Sequence, residues 1–230
     1  MIFGGIQKMT LLDFPEKIAC TVFTVGCNFK CPFCHNASFI QSGARINYIE
    51  SDEVLSFLNT RKGLLDGVCI SGGEPLIHQD LEDFIRQVRQ MGFLVKLDTN
   101  GSFPEKLKKL VSENLIDYVA MDIKNTIKKY PVTADISNCN IEDIKQSVDF
   151  LLSGAVPYEF RTTIVRELHK AEDVLNIAEW ISGAKRYYLQ GFVDSENVLQ
   201  GGLSSYSPEE MQEILQKVKK ILPAAEIRGN

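Results

Sequence analysis

The sequence predicts an α/β fold with a parallel sheet, and three observations lead to this prediction. Short runs of β-branched and aromatic residues alternate with amphipathic segments of helical length. The alternation gives six strand–helix units of roughly 30 to 40 residues, a size that indicates parallel strands joined by helical crossovers. Cysteine, acidic, basic and amide residues lie at or directly after the ends of the predicted strands. Six such units can form either a flat doubly wound sheet or an incomplete barrel.

The predicted strands are short and rich in β-branched and aromatic residues, and most are followed by glycine or a polar turn. In chain order they are Ile18–Val25, Val68–Ile70, Phe93–Leu97, Tyr118–Ile123, Tyr158–Val165 and Arg186–Gln190. Gly26 ends the first strand, and Gly191 follows the last. A further strand or hairpin is expected in residues 2–14, where short apolar pieces flank Gly4 and Gly5.

Most predicted helices begin at a capping residue or a proline and carry apolar residues at helical spacing. They are expected at Ser51–Leu58, between Asp80 and Gly92, and at Pro104–Val111, Ile141–Leu152, Glu172–Ile181 and Ser207–Ile221. Ser51 and Asp80 are the expected caps of the first two helices. The apolar face of the second helix is Leu81, Phe84, Ile85 and Val88.

Composition and charge restrict the class of function. The 230 residues are 44% hydrophobic and 24% charged, enough to bury the core of a globular domain. A net charge of −5 with scattered lysines gives no electrostatic basis for binding nucleic acid or an anionic membrane. No apolar run approaches the roughly 18 residues of a spanning helix, and Met1–Thr10 lacks a secretory pattern. We therefore expect a cytoplasmic protein with reduced thiols.

Neither an internal repeat nor a break in composition divides the chain, so we expect one domain over residues 1–230. Residues 1–17 would form its lead-in strand or hairpin, residues 18–192 its core, and residues 193–230 a C-terminal loop and helix.

The polar residues at the strand ends indicate a site. They are Cys27 after the first strand, Gly72-Gly73-Glu74-Pro75 after the second, Asp98-Thr99-Asn100 after the third, Asp122 and Lys124 at the fourth, Arg161 and Thr163 along the fifth, and Gln190 at the sixth. Active sites of parallel α/β folds lie at the carboxyl ends of the strands. We expect these residues to converge although they are spread over the chain.

Cys27, Cys31 and Cys34 have the spacing C-x3-C-x2-C. Three thiolates leave a fourth ligand position open, and thiolates select iron–sulfur clusters, zinc or copper(I). A closed zinc site would need His35, whose neighbour Cys34 makes two corners of one tetrahedron hard to reach. The haem-attachment pattern formed by residues 31–35 belongs to exported proteins, and a disulfide is disfavoured in the cytoplasm. An iron–sulfur cluster with three cysteine ligands is therefore favoured.

The other three cysteines are expected to be structural or incidental. Cys20 and Cys69 lie in apolar, strand-like runs, where a thiol is commonly buried. Cys139 lies in a polar loop and has no assigned role.

Gly72-Gly73-Glu74-Pro75 has the composition of a ligand-binding turn. Paired glycines permit positive φ or the close approach of a ligand, Glu74 offers a carboxylate to an ammonium group, and Pro75 stiffens the exit. Two glycines after a strand alone indicate only a turn. Beside a cluster with an open position, they indicate a cofactor site.

The cysteine motif after the first strand and Gly72-Gly73-Glu74-Pro75 after the second resemble the radical S-adenosylmethionine enzymes, over residues 18 to about 192. The resemblance implies an incomplete (βα)6 TIM-like barrel with parallel strands and a [4Fe-4S] cluster on Cys27, Cys31 and Cys34. It also implies that S-adenosylmethionine chelates the fourth iron and is cleaved reductively to a 5′-deoxyadenosyl radical. Such radical chemistry belongs to the cofactor, which the protein positions.

Asp98-Thr99-Asn100-Gly101 and Asp122-Ile123-Lys124 are similar to segments of the enzymes that activate glycyl-radical enzymes. This resemblance implies that Glu74 meets the amino group of S-adenosylmethionine and Lys124 its carboxylate. It implies that Asp122 meets the ribose or, with Asp98 and Thr99, a monovalent cation. The remaining expected cofactor contacts are Gly72, Gly73, Pro75 and Asn100, with Asn36 near the nucleoside.

Residues 4–15 and Tyr188–Phe192 most resemble a short branch of these enzymes, named for the anaerobic ribonucleoside-triphosphate reductase. The implied function is formation of a glycyl radical on that partner, with a flavodoxin or ferredoxin as electron donor. Two alternatives stay open: a radical S-adenosylmethionine enzyme of modified-base or cofactor biosynthesis, and a non-catalytic zinc or iron–sulfur protein. Arg161 and Gln190 either line the site or tie strands together.

Overall fold

The computed structural model describes residues 1–40, 47–135, 140–195 and 197–229. The chain divides into two compact units. The first comprises Met1–Asn28, Ser38–Thr99 and Phe103–Ala120, and the second comprises Phe29–Ala37, Asn100–Ser102 and Met121–Asn230. Organisation as a single domain stays a prediction.

The first unit contains a mostly parallel sheet. Its strands are β1 (Ile2–Thr10), β2 (Ala19–Thr24), β3 (Ile49–Glu50), β4 (Gly67–Gly72) and β5 (Leu94–Thr99), in the order β3-β1-β2-β4-β5. β1 is antiparallel to β2 and β3, whereas β2, β4 and β5 are parallel. The register places Thr21 beside Cys69 and Cys69 beside Lys96, so these three side chains share one face. The predicted lead-in strand is confirmed.

The first unit also contains the helices α2 (Ser51–Asn59), α3 (Leu81–Gln90) and α4 (Pro104–Ser112), and a short helix α1 (Ala37–Ile40) precedes them. The predicted cap of α2 is wrong by one residue. Glu50 is the cap because pairing of β3 with β1 keeps it extended, and its N–H donates to Glu53 Oε1 at 3.4 Å. Asp80 does precede α3, but its carboxylate binds the Met1 amino group at 2.7 Å and makes no cap bond.

Strand β6 (Tyr118–Asp122) contains the division between the two units. The second unit continues with β7 (Tyr158–Ile164), β8 (Tyr187–Gly191) and β9 (Ala225–Arg228), which are parallel neighbours in that order. Its helices are α5 (Tyr130–Thr133), α6 (Ile141–Leu152), α7 (Ala171–Trp180) and α8 (Pro208–Val218). The sequence did not indicate β9 or α5, because each has only four residues and lacks a periodic apolar pattern.

Side-chain alternation explains how the sheet of the second unit carries polar groups. Phe160, Thr162 and Ile164 of β7 are buried in the core, so Arg161 and Thr163 point to the opposite face. The parallel register extends this second face to Tyr188, Gln190 and Arg228 on β8 and β9.

The α/β class with parallel strands is confirmed. The predicted apolar face of α3 is also confirmed, because all of its residues are buried. Among the described residues, no helix combines the length and the apolar character that crossing a membrane requires.

Candidate active site

The predicted cysteine ligands are divided between the two units along the chain. Cys27 belongs to the first unit and is half-buried, whereas Cys31 is buried and Cys34 half-buried in the second. The N–H of Cys34 donates to the Cys31 carbonyl at 3.1 Å, which places these two thiols on one turn. None of the three cysteines is part of a disulfide, which is compatible with cluster ligation.

Backbone hydrogen bonds hold the cysteine-bearing loop of the second unit from two sides. The Lys30 N–H donates to the Ala134 carbonyl at 3.0 Å, and the Pro32 carbonyl accepts from the Gln200 N–H at 2.9 Å. Because these bonds involve the main chain, they fix the backbone that carries Cys31 and Cys34.

Lys124 offsets part of the effect of burial on these two thiols. Burial raises the pKa of Cys31 to about 11, and the positive charge of Lys124 is the largest opposing influence. Burial likewise raises the pKa of Cys34, while a backbone hydrogen bond from Asn36 and the Lys124 charge lower it. A metal ligand must be a thiolate, so Lys124 favours the form of both cysteines that binds iron.

A single-ion site finds no support in the described part of the chain. No three His, Cys, Asp or Glu side chains there are grouped as ligands of one metal ion. His35 Nε2 lies 2.7 Å from the Val193 carbonyl, and its ring packs on Phe192 at 5.5 Å. In this geometry His35 has the Val193 carbonyl and the Phe192 ring as partners. An iron–sulfur cube is larger than one ion, so its cysteine ligands need not converge as closely.

The paired glycines are required by the backbone of the neighbouring strand. Gly72 has φ +105°, and a Cβ there would lie 2.4 Å from the Thr24 nitrogen. A Cβ on Gly73 would lie 1.8 Å from the Gly26 carbonyl oxygen. The Gly73 N–H donates to the Thr24 carbonyl at 2.9 Å. The glycines thus let the turn lie directly on the end of β2.

Glu74 emerges from this turn as a buried, oriented carboxylate. It is 1% exposed, and its Oε1 accepts from the Leu76 N–H at 3.1 Å and from Thr99 Oγ1 at 2.8 Å. Pro75 opens the short 3-10 helix Pro75–Ile77. The Thr99 hydroxyl therefore holds the Glu74 carboxylate through a hydrogen bond, a contact that the sequence did not reveal.

Two further side chains support the same turn. Lys106 Nζ donates to the Leu76 carbonyl at 2.6 Å, and His78 Nε2 lies 2.9 Å from the Val25 carbonyl. Sequence analysis missed both, since neither belongs to a recognisable motif.

Asp98 lies in a polar cluster within the first unit. Its carboxylate accepts from Ser71 Oγ at 3.1 Å and from Cys69 Sγ at 3.7 Å, and it forms an ion pair with Lys96. The Lys96 side chain is 1% exposed, and its Nζ lies 3.8 Å from Cys69 Sγ. Cys69 is buried in this cluster, and a structural or incidental role for it stays a prediction. Sequence analysis missed Lys96.

Asp122 and Lys124 form an ion-pair group with Arg161 in the second unit. Arg161 Nε donates to Asp122 Oδ1 at 2.9 Å, and Lys124 Nζ donates to Asp122 Oδ2 at 3.1 Å. Burial acts to raise the pKa of Asp122, but the two cations outweigh it and hold that pKa well below its usual range. Arg161 therefore belongs with the predicted site residues of this unit.

The buried His169 positions Lys124 through the main chain. The Val165 N–H donates to His169 Nδ1 at 3.1 Å, so the ring proton is on Nε2, which donates to the Lys124 carbonyl at 2.7 Å. Burial lowers the pKa of His169, in keeping with a neutral ring. The Tyr130 hydroxyl donates to the Asp122 carbonyl at 3.2 Å. Only the structure identifies these two supports.

Asn100 forms a turn in the second unit. Its Oδ1 accepts from the Ser102 N–H at 3.0 Å and from the Ser102 hydroxyl at 2.6 Å. Gly101 has φ +79°, and a Cβ there would lie 2.0 Å from Met121 Cε. Cofactor contact by Asn100, like any site role of Asn36 or Gln190, stays a prediction.

Two cysteines remain. Cys20 is fully buried, and burial raises its pKa to about 12, as expected of a structural thiol. Cys139 lies outside the described residues.

Known proteins similar to this chain support one family. Residues 21–181 match the model of the Radical SAM superfamily. The chain is 34% identical to MJ1227 of Methanocaldococcus jannaschii, provisionally named a glycyl-radical enzyme activating enzyme, over 83% of this chain and 80% of that protein. It is 25% identical to MJ1632 of the same organism, provisionally named likewise, over 98% and 82% of the two chains.

A solved structure supports the predicted α/β fold. A domain of pyruvate-formate lyase-activating enzyme from Bacteroides vulgatus aligns with a TM-score of 0.59 and 20% identity, over 71% of this chain and 99% of that one. This likeness concerns the fold, and it agrees with the expected incomplete barrel.

The fold and the superfamily match define the class of protein as an α/β enzyme. The superfamily model covers well over half of the chain. The chain belongs to the Radical SAM superfamily and, within it, to the glycyl-radical enzyme activating enzymes. That family implies a [4Fe-4S] cluster and S-adenosylmethionine, and the three cysteines outside any disulfide and the buried Glu74 carboxylate fit these groups.

Proposed function

We propose that this chain generates a glycyl radical on a partner enzyme, and that the partner is an anaerobic ribonucleoside-triphosphate reductase. The observation that carries the proposal is the buried Glu74 carboxylate, held by the Leu76 N–H and the Thr99 hydroxyl. A fixed, buried carboxylate suits the ammonium group of an amino-acid cofactor.

In this proposal Cys27, Cys31 and Cys34 are the cluster ligands. Their number leaves one position open for a substrate-side ligand, and Lys124 favours the thiolate forms of Cys31 and Cys34. When bound, the cluster supplies the electron that cleaves S-adenosylmethionine.

Charged side chains hold the cofactor. Glu74 accepts from its amino group, and the Lys124 ammonium, positioned by Asp122, donates to its carboxylate. Asp98 and Asp122 offer acceptors for ribose hydroxyls. The remaining proposed cofactor contacts are Gly72, Gly73, Pro75, Thr99 and Asn100.

The partner is proposed from similarity. The names of MJ1227 and MJ1632 support a glycyl-radical enzyme as the protein substrate. Residues 4–15 and Tyr188–Phe192 support the ribonucleotide reductase branch. Because each cleavage consumes one electron, we include a flavodoxin or ferredoxin donor, and we place the reaction in the cytoplasm, where thiols stay reduced.

The test reconstitutes the protein with iron and sulfide under anaerobic conditions and adds S-adenosylmethionine, dithionite and anaerobic ribonucleoside-triphosphate reductase. We expect 5′-deoxyadenosine, together with a glycine-centred doublet in the electron paramagnetic resonance spectrum. Glu74→Gln keeps the size of the side chain but removes its charge. It should weaken S-adenosylmethionine binding about tenfold or more, the usual loss with a charged hydrogen bond.

The outcomes separate the alternatives. Absence of 5′-deoxyadenosine from protein with an intact cluster would refute the enzymatic proposal. Formation of 5′-deoxyadenosine without a doublet would contradict this partner. If other glycyl-radical enzymes also give no doublet, the substrate is a small molecule.

A further inference from the structure

The three residues expected to bind a monovalent cation are already engaged within their own units. The family resemblance implies that Asp122 meets either the ribose or, with Asp98 and Thr99, a monovalent cation. Thr99 Oγ1 donates its proton to Glu74 at 2.8 Å. Both aspartates have cationic side chains beside them.

In the first unit the cation of Asp98 is a lysine. Lys96 precedes Asp98 by two positions on β5, so the two side chains lie on the same face of the strand and form an ion pair. Lys96 is 1% exposed and Asp98 is 13% exposed. Ser71 Oγ donates to the second carboxylate oxygen of Asp98 at 3.1 Å. This is a built, buried site for one positive charge, and the ammonium occupies it.

In the second unit Asp122 has two cations. Arg161 Nε binds one carboxylate oxygen at 2.9 Å, and Lys124 Nζ binds the other at 3.1 Å. Both cationic side chains are more than four-fifths buried. An added metal cation would meet like charge at this carboxylate.

Charge balance therefore disfavours the predicted ion. A cation is retained at a carboxylate because it neutralises a charge that burial would otherwise penalise. At Asp98 the Lys96 ammonium already does this, and a second cation would be repelled by it in a medium of low dielectric constant. The residues present do not fit a bound monovalent cation.

We infer that the Lys96 ammonium takes the place of a bound monovalent cation beside Asp98. Lys96 is then a positioning residue, which holds the Asp98 carboxylate for the cofactor. S-adenosylmethionine binding and cleavage by this chain consequently need no K⁺ or Na⁺. The inference rests on the proposed function only for the role of Asp98 toward the cofactor.

The experiment measures S-adenosylmethionine affinity and 5′-deoxyadenosine formation by the reconstituted enzyme in chloride salts of K⁺, Na⁺, NH4⁺ or tetramethylammonium. Constant ionic strength removes general screening effects, so the wild type should vary by less than about twofold among the salts. Tetramethylammonium is too large for the site. In this salt, the S-adenosylmethionine affinity of Lys96→Ala should be about tenfold or more below that of the wild type, as for other supporting residues of a cofactor site. NH4⁺ or K⁺ should restore it by entering the space left by the ammonium.

A second readout does not depend on the cluster. The thermal unfolding midpoint of the Lys96→Ala apoprotein should rise in NH4⁺ or K⁺ relative to tetramethylammonium, whereas that of the wild type should not. Lys96→Met fills the space without charge and should respond to no salt. Lys145→Ala removes a surface ion pair with Glu142 and is the matched control, with wild-type behaviour expected.

Wild-type dependence on K⁺ or Na⁺ would overturn the inference, as would a Lys96→Ala protein with wild-type activity in every salt. If Lys96→Ala does not fold, Lys96→Arg keeps the charge and must remain independent of the added cation. If no protein forms 5′-deoxyadenosine in any salt, the proposed function fails, and the unfolding midpoints alone decide the inference.

Discussion

At the scale of single residues, Lys124 combines a positive charge with a fixed position. In the second unit, Lys124 Nζ binds Asp122, and the Lys124 carbonyl accepts from the buried His169. The charge of Lys124 offsets part of the rise that burial causes in the pKa of Cys31 and Cys34. Lys124 is thus fixed at both its main chain and its side chain, and a fixed cation can orient a ligand without a large loss of conformational entropy.

Lys124→Ala tests this residue. Loss of one charge-assisted hydrogen bond to the cofactor carboxylate, about 1.5–3 kcal/mol, should weaken S-adenosylmethionine binding about 10- to 100-fold. The cluster should be retained, because all three cysteines remain and the bound iron itself stabilises their thiolate forms after the Lys124 charge is lost. Equilibrium dialysis with the reconstituted protein measures the affinity. Unaltered binding would remove Lys124 from the cofactor site.

Cys31→Ala tests the cluster ligands. The variant should lose the cluster's visible absorption and all 5′-deoxyadenosine formation, because a [4Fe-4S] cluster needs each of its cysteine ligands. Cys139→Ala, in the part of the chain outside the described residues, is the comparison and should retain both. A cluster lost from the Cys139 variant and kept by the Cys31 variant would reverse the assignment.

At the scale of elements, the turn after β4 depends on contact with the end of β2. Gly73→Ala would place its Cβ 1.8 Å from the Gly26 carbonyl oxygen, so the turn must move. We expect a loss of about 2 kcal/mol or more in the free energy of unfolding, as for other overpacked sites, together with weaker S-adenosylmethionine binding. Urea unfolding of the apoprotein measures the first effect.

Gly201→Ala is the matched control for that change, because a Cβ there meets no atom within 4 Å. It should leave both stability and affinity close to those of the wild type. Equal effects from the two substitutions would mean that the contact with Gly26 is unimportant.

The cap of α8 gives a prediction about stability alone. Ser207 Oγ accepts from the Glu210 N–H at 3.2 Å, and the Ser207 N–H donates to Glu210 Oε2 at 2.7 Å. Ser207→Ala should lower the free energy of unfolding by about 1 kcal/mol, the usual cost of a lost serine cap. Ser207→Asp should retain most of the stability, since aspartate also caps. The Asp variant being as unstable as the Ala variant would contradict the cap assignment.

At the scale of the whole chain, local signals predicted most elements. Helix α6 has the predicted bounds Ile141–Leu152, because its apolar spacing and the Gly154 that follows are both local features. Strand β9 was missed because Ala225–Arg228 contains two charged residues and becomes a strand only by pairing with β8. Pairing between distant segments leaves little trace in so short a sequence.

The sequence predicted only part of the site, because some of its contacts join segments that are distant in the chain. Glu74 and Lys124 follow strands and carry unusual chemistry, so their positions indicated a ligand. Lys96 was missed because a lysine within an apolar strand belongs to no recognisable motif, although its spacing of two residues from Asp98 places both side chains on one face of β5. The Thr99–Glu74 bond also required coordinates.

Transfer of hydrogen from partner to cofactor tests the central claim most directly. Anaerobic ribonucleoside-triphosphate reductase is prepared with glycine deuterated at both α positions and mixed anaerobically with the reconstituted protein, S-adenosylmethionine and dithionite. The 5′-deoxyadenosine formed should carry one deuterium, and the doublet of the glycyl radical should lose its proton splitting. 5′-Deoxyadenosine without deuterium, formed at the same rate with and without the reductase, would contradict the proposed activation of this partner.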